Sequence, residues 1–164
     1  MVGQRGAIWF LHGSFGGAAV SRKCQVPDDT ALFFPVINNV IVNTPNLCYQ
    51  AGPLTVAELR PLVVPFIDAA SHLSVSLDGH PFPMRRVRSV PFVVAQPADN
   101  IHVAACGGPD QLPAGIFSPG VDDGYYALVQ PLHKEKHALR ILATSGSFAI
   151  DVTYNLTVVP ASLR

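Results

Sequence analysis

The chain has 164 residues, the length of one ordinary domain with room for a sizeable core, and 49% of them are hydrophobic against 13% charged. That balance excludes a disordered chain, a coiled coil and a supercharged tail. Eleven lysines and arginines cancel eleven aspartates and glutamates, so the basic field that nucleic acid or an anionic lipid surface needs is missing, and no apolar stretch reaches the ~18 residues of a membrane span.

Taken in order, Ala7 to Leu11 is a short aromatic strand, followed by the glycine-rich turn His12-Gly-Ser-Phe-Gly-Gly17. Val20 to Val26 alternates, and Ala31 to Ile37 is a nearly continuous apolar run of strand length that reads as buried on both faces, with Pro35 marking an edge or a bulge. Residues 38–53 form a first long loop. Thr55 with Glu58 three residues on makes a capping box, and Val56, Leu59, Leu62, Val63, Phe66, Ile67 and Ala70 share one helical face. Pro61 and Pro65 interrupt that pattern and predict a short, kinked helix near 55–70.

The remainder reads as strand and turn. Leu73 to Leu77 alternates and ends in the hairpin signal Asp78-Gly79; Arg85 to Arg88 and Val90 to Ala95 continue the meander, and residues 100–119 make a second long loop. An Asp122-Asp123-Gly124 turn leads into the strand Tyr125 to Leu132, His133 to His137 form a polar turn, and Ala138 to Ala143 and Phe148 to Val159 close the chain as a hairpin. About eight strands, one helix and two long loops predict an all-β chain, a single-domain antiparallel β-sandwich of jelly-roll-like form over residues 1–164.

The three cysteines contain no C-x-x-C pair, which argues against a sulfur-bound metal. Cys48 and Cys106 stand in polar, Gly/Pro-rich loops that suit a disulfide, worth about 4 kcal/mol by loop closure, and Cys24 is left over. Three reduced thiols in a cytosolic protein are the other reading. No signal-peptide pattern precedes the first strand.

Several of these segments match a known group. Gly3-Gln4, Trp9-Phe-Leu11, Ser14-Phe-Gly-Gly17, Cys24-Gln-Val-Pro27, Ala31-Leu-Phe-Phe-Pro35, Val75-Ser-Leu-Asp-Gly79, Asp123-Gly-Tyr-Tyr126, Pro131-Leu132 with His137, and Asp151-Val-Thr-Tyr-Asn-Leu-Thr-Val158 resemble a family of uncharacterised secreted bacterial single-domain proteins. The resemblance spans nearly the whole chain. It implies an exported or periplasmic protein, shortened here at its amino terminus by a segment whose cysteine would pair with Cys24. It implies no activity. The family is Gly- or Pro-rich before His137, whereas this chain has His133-Lys-Glu-Lys136, which makes His133 incidental.

Few constellations carry chemistry. Ser14, in a glycine-rich turn after a strand, is a candidate nucleophile for an esterase or lactonase, with His12, His72, His80, His102, His133 or His137 as base and Asp122 or Asp123 orienting it. The spacing departs from a nucleophile elbow, because His12 stands where glycine is needed; a structural turn is the simpler account. His133 and His137 are four apart but in a turn, not on a helix. Asp122 and Asp123, with Asp99 and Asp110, offer the hard oxygens that calcium prefers. Arg85, Arg86 and Arg88 form the one basic cluster; on a strand they alternate between faces, which favours protection of an edge over a shared anion site. Trp9, Phe10, Tyr125, Tyr126 and Tyr154 would stack on sugar rings wherever a sheet face exposes them. The leading expectation is therefore a binding protein for a glycan, envelope material or another small ligand held by end loops, without nucleic acid or a membrane span, and with a homodimer as a further arrangement. The competing expectation is a small hydrolase using Ser14 and His12, or calcium.

Overall fold

The computed structural model describes Gln4 and residues 6–47, 50–100 and 112–161. Ten strands and one helix follow in chain order: β1 (Ile8–Phe10), β2 (Val20–Pro27), β3 (Ala31–Val42), α1 (Val56–Asp68), β4 (Ala70–Leu77), β5 (His80–Pro81), β6 (Arg85–Arg88), β7 (Phe92–Gln96), β8 (Gly115–Val129), β9 (Lys136–Ser145) and β10 (Phe148–Val159). Sheet A has the order β1-β3-β8-β6, with β7 also paired to β8, and sheet B the order β2-β10-β9-β4-β5. The two sheets pack as an all-β sandwich, as the alternation predicts. The ladders described in sheet B are antiparallel except for β2 on β10, and β1 on β3 in sheet A is likewise parallel.

By contacts the chain divides into two units, the first Met1–Asn38, Phe66–Val87 and Gly124–Arg164, the second Asn39–Pro65 and Arg88–Asp123. In the first, alternate residues of facing strands build the core: Leu32, Phe34 and Val36 from β3, Ala127 and Val129 from β8, Leu139 and Ile141 from β9, and Val152, Tyr154 and Leu156 from β10 are all buried. In the second, Leu59 and Val63 of α1 and Val121 of β8 form a small buried cluster.

Local chemistry explains most element ends. The Thr55 hydroxyl accepts from the Glu58 amide at 3.3 Å and Glu58 Oε2 accepts from the Thr55 amide at 2.8 Å, so the capping box forms as its sequence predicts. Asp78 and Gly79 take positive φ of 53° and 80° and turn β4 into β5. Gly16 and Gly17, at 81° and 95°, do the same for the segment after β1.

Five expectations need correction. The helix is not shortened by its prolines: it runs unbroken to Asp68, because Pro61 and Pro65 are exposed and sit one turn apart, where water can satisfy the carbonyls of Ala57 and Pro61. Leu62, assigned to the buried face, is 51% exposed. Both long loops are shorter than read, since β3 continues to Val42 and β8 begins at Gly115. Asp122-Asp123-Gly124 is no turn but the interior of β8. The run from Ala31 is not buried on both faces: Ala31, Phe33 and Pro35 are only half-buried on the outer side. Pro35 nevertheless obeys the edge rule locally. Ala31 donates to Ala7 and Phe33 accepts from Leu11, so two residues further the missing N–H of Pro35 points to the β1 side, beyond the end of β1.

Candidate functional site

Strand parity sorts the aromatic candidates. In β1 Trp9 points inward and is buried, and in β8 Tyr125 is half-buried and packs against the core. Tyr154 is buried as well. Phe10 and Tyr126 lie on the opposite parity, with Phe33 between them on β3. The Phe10 and Phe33 rings meet edge to face at 6.0 Å, and Phe33 stacks on Tyr126 at 5.3 Å with planes 4° apart. An aromatic stripe thus crosses β1, β3 and β8 on the outer face of sheet A. Ile8, Val87 and Leu128, each at least 40% exposed, extend it.

Beside the stripe lies a groove of about 350 Å³, within the range of small-ligand sites, roughly 300–1,000 Å³. Phe33, Tyr126 and Leu128 line it together with Phe82, Met84 and Arg85. Arg85 is its one charged group, and no carboxylate borders it. The three basic residues of β6 separate as their alternation predicts: Arg86 pairs with Asp68 at 2.6 Å, Arg88 with Asp123 at 3.2 Å, and Arg85 stands on the groove side.

The outer face of sheet B has the opposite character. Ser21, Lys23 and Gln25 of β2, Lys136 and Arg140 of β9, and Asp151, Thr153, Asn155 and Thr157 of β10 occupy it. Arg140 meets Asp151 through two parallel bonds of 3.2 and 3.1 Å, and Asn155 donates to Ser21 at 3.1 Å.

The glycine-rich turn is built as follows. His12 is exposed and its Nδ1 bonds the neighbouring Gly13 carbonyl at 3.0 Å, and among the described residues no histidine bonds Ser14. What fixes this segment is Arg22, whose Nη1 donates to the His12 and Gly13 carbonyls at 2.6 and 3.0 Å and to the Tyr154 hydroxyl at 2.8 Å, while that hydroxyl donates to the His12 carbonyl at 2.7 Å. Arg22 also lies 5.4 Å over the Tyr154 ring. A second cavity of about 280 Å³ opens here between Trp9 and Cys24. Burial pushes the Cys24 thiol up from its ordinary value, against a smaller opposing effect of the Trp9 hydrogen bond.

The remaining candidates are spoken for by the fold. Asp123 is fully buried against Arg88, and Asp122 contributes its backbone: its carbonyl accepts from Arg60 at 3.0 Å and from the Ser89 amide at 3.0 Å, and its amide donates to the Ser89 hydroxyl at 2.9 Å. Among the described residues no three histidines, cysteines, aspartates or glutamates gather as a metal would need. His137 sits on β9, not in a turn, with Nδ1 on Asp78 Oδ2 at 2.7 Å and Nε2 on the His133 carbonyl at 3.1 Å, so both ring nitrogens are engaged. Burial opposes its charged form, but the bonds to Asp78 and His133 and the attraction of Asp78 and Glu135 outweigh it, and its pKa is raised. His72 takes φ 50° at the bulge in β4, its Nδ1 3.1 Å from the Thr144 hydroxyl. Cys48, Cys106, His102 and Asp110 lie outside the described residues, and so does the proposed disulfide. Cys24 is a free thiol.

Comparison of the chain with protein-family models, with curated proteins and with solved structures returns no match. The site therefore rests on its own geometry. Sequence reading named Phe10 and Tyr126, assigned Arg85 to edge protection, and missed Phe33, because the apolar run that contains it hides which residues face outward.

Proposed function

We propose that this protein is a glycan-binding β-sandwich module whose ligand lies on the outer face of sheet A. The observation that carries the reading is the aromatic stripe Phe10, Phe33 and Tyr126 beside the groove. Pyranose rings present apolar C–H faces to aromatic rings while their hydroxyls stay hydrated, so the ring surface that Phe33 and Tyr126 do not cover in each other, with the half-exposed Phe10, suits them. A rigid sheet supports the row, and ordering the ligand therefore costs little reorganisation of the protein. The contrast between the two outer faces adds to the argument. Large exposed apolar patches on soluble proteins mark interaction surfaces, and the polar face of sheet B shows that the sandwich does not require an apolar exterior. The resemblance to secreted bacterial proteins favours a ligand of the cell exterior or envelope. Relative to the expectation of binding through end loops, this reading moves the contact surface from the loops to the sheet.

Retention on a panel of immobilised polysaccharides tests it. Wild-type protein is retained on at least one glycan, Tyr126→Ala and Phe33→Ala each weaken that retention by about tenfold, and Asn155→Ala on the other sheet leaves it unchanged. Retention indifferent to both aromatic substitutions, in variants that still fold, overturns the reading.

A further inference from the structure

Arg85 differs from every other described arginine. Arg22 holds three oxygens, Arg60 caps the Ser89 and Asp122 carbonyls, Arg86 pairs with Asp68, Arg88 with Asp123 and Arg140 with Asp151. Among the described residues Arg85 meets no such acceptor. It stands at a groove whose other lining is aromatic or aliphatic, Phe33, Phe82, Met84, Tyr126 and Leu128, with no carboxylate to compete for it. We infer that the ligand of this face is an acidic glycan, a short chain containing a hexuronic acid whose carboxylate bonds the Arg85 guanidinium while its ring packs on Tyr126. The inference rests on the glycan reading above and deepens it.

Charge and shape together select this class. A planar guanidinium presents paired N–H donors that match a carboxylate edge on, and the apolar lining beside the exposed Arg85 gives the sugar ring a surface to pack on while its carboxylate is held. One cation in the groove balances one anion. A dianionic phosphate or a polyanion would need further cations, and the groove offers none while the chain as a whole carries no net charge. A neutral sugar would leave the guanidinium hydrated beside an apolar wall, with nothing gained from its position there.

The test uses tetrasaccharides of galacturonic, glucuronic and mannuronic acid, each with its methyl ester, in which the ring is kept and the charge removed. Titration calorimetry of the whole chain should find at least one acid that binds about three- to fivefold more tightly than its ester. Arg85→Gln should lower affinity for the acid by a similar factor and leave the ester unaffected, so that the two losses do not add. Arg85→Lys, a point charge without the fork, should fall between. Arg85 is exposed, so all three proteins should melt together, which separates lost binding from lost folding. Neutral or esterified glycans bound as tightly as the acids, still dependent on Tyr126, would overturn the acidic assignment and keep the glycan reading. Sulfated tetrasaccharides preferred over the uronates would do the same. No glycan bound at all, or a dimer by light scattering that Leu128→Glu returns to monomer, would overturn both.

Discussion

Gly124 supplies the sharpest test of how the sandwich is assembled. A Cβ built on it would stand 2.5 Å from Asn38 Cβ, 2.7 Å from the Ile37 carbonyl oxygen and 2.8 Å from Asn38 Cα. Carbon atoms pack best at about 3.5–4.0 Å, so Gly124→Ala requires β3 and β8 to part by about 1 Å at this crossing. No rotamer relieves the clash, because all three atoms belong to the β3 backbone or to the first carbon attached to it. Overpacking of this kind costs about 1–3 kcal/mol, and the rigidity of the contacting atoms places Gly124→Ala at the upper end. The smaller entropy of an unfolded alanine returns about 0.4–1 kcal/mol. The net loss of about 2 kcal/mol lowers Tm by about 4–8 °C in a domain of this size. Gly115 on the same strand is the control: its added Cβ would meet the Phe117 ring at 3.5 Å, an ordinary contact, and Gly115→Ala should leave Tm within about 1 °C. Thermal melts followed by far-UV circular dichroism make the comparison. Tyr126 lies two residues beyond Gly124, so parted strands would also loosen the Phe33–Tyr126 stack and weaken the near-UV aromatic signal. A Gly124→Ala protein that melts with wild type would show that the close approach of β3 and β8 is not a constraint on the fold.

Two further predictions concern polar groups that the fold depends on. The His137 pKa is raised above its ordinary 6.5, so the stability it contributes is complete below that value and disappears as pH climbs through the higher folded value; Asp78 is lowered, the bonds from His137 and Ala138 outweighing burial, so its contribution is present above about 3.8 and disappears as acid titrates it. Tm should therefore fall on both sides of a mildly acidic plateau, and Asp78→Asn, which tolerates the positive φ, should flatten the alkaline fall; identical Tm profiles from pH 6 to 9 would refute the pairing. Asn43 is buried and its side chain donates to the Ser118 carbonyl at 2.9 Å and accepts from the Leu54 amide at 2.8 Å and Gln50 Nε2 at 2.7 Å. Asn43→Ala should cost about 2–4 kcal/mol in urea denaturation, and a loss below about 1 kcal/mol would show that water replaces it.

What could be read in advance divides along physical lines. Periodicity is local, so the alternating hairpin of β9 and β10, the Asp78-Gly79 turn and the Thr55 capping box were all legible. Their structures need only neighbouring residues. Pairing is not local, and so the parallel partners of β1 and β2 were invisible, as was the assignment of β6 to sheet A after β5 had closed sheet B. Gly124 shows the limit most clearly. A glycine beside two aspartates is the ordinary mark of a turn, but here the glycine serves a close crossing of strands and Asp123 answers an arginine that arrives from β6. The site was half legible for the same reason. Tyr126 and Phe10 could be named as aromatics, yet only the register of β1, β3 and β8 decides that Phe10, Phe33 and Tyr126 form one row while Trp9 and Tyr125 turn inward.

The same parity argument bears on why the row exists. In β10 the alternation Asp151, Thr153, Asn155 and Thr157 against Val152, Tyr154, Leu156 and Val158 gives the outer face of sheet B a polar surface at no expense to the core. Over Ala31–Pro35 nothing in the packing of β3 prevents the same arrangement, because Leu32, Phe34 and Val36 fill the inner face there and the outer parity is drawn into the core only at Ile37. Ala31, Phe33 and Pro35 are thus apolar where the core makes no demand on them. Exposed apolar rows carry a risk of aggregation, which the edge contact of Phe10 with Phe33 and the stack of Phe33 on Tyr126 offset by about 0.5–1.5 kcal/mol each. The row thus serves the sheet in part, but the one cation placed beside it, Arg85, has no structural partner among the described residues. An arginine without a partner in the fold, set beside an apolar row, is the feature that the proposed ligand would answer.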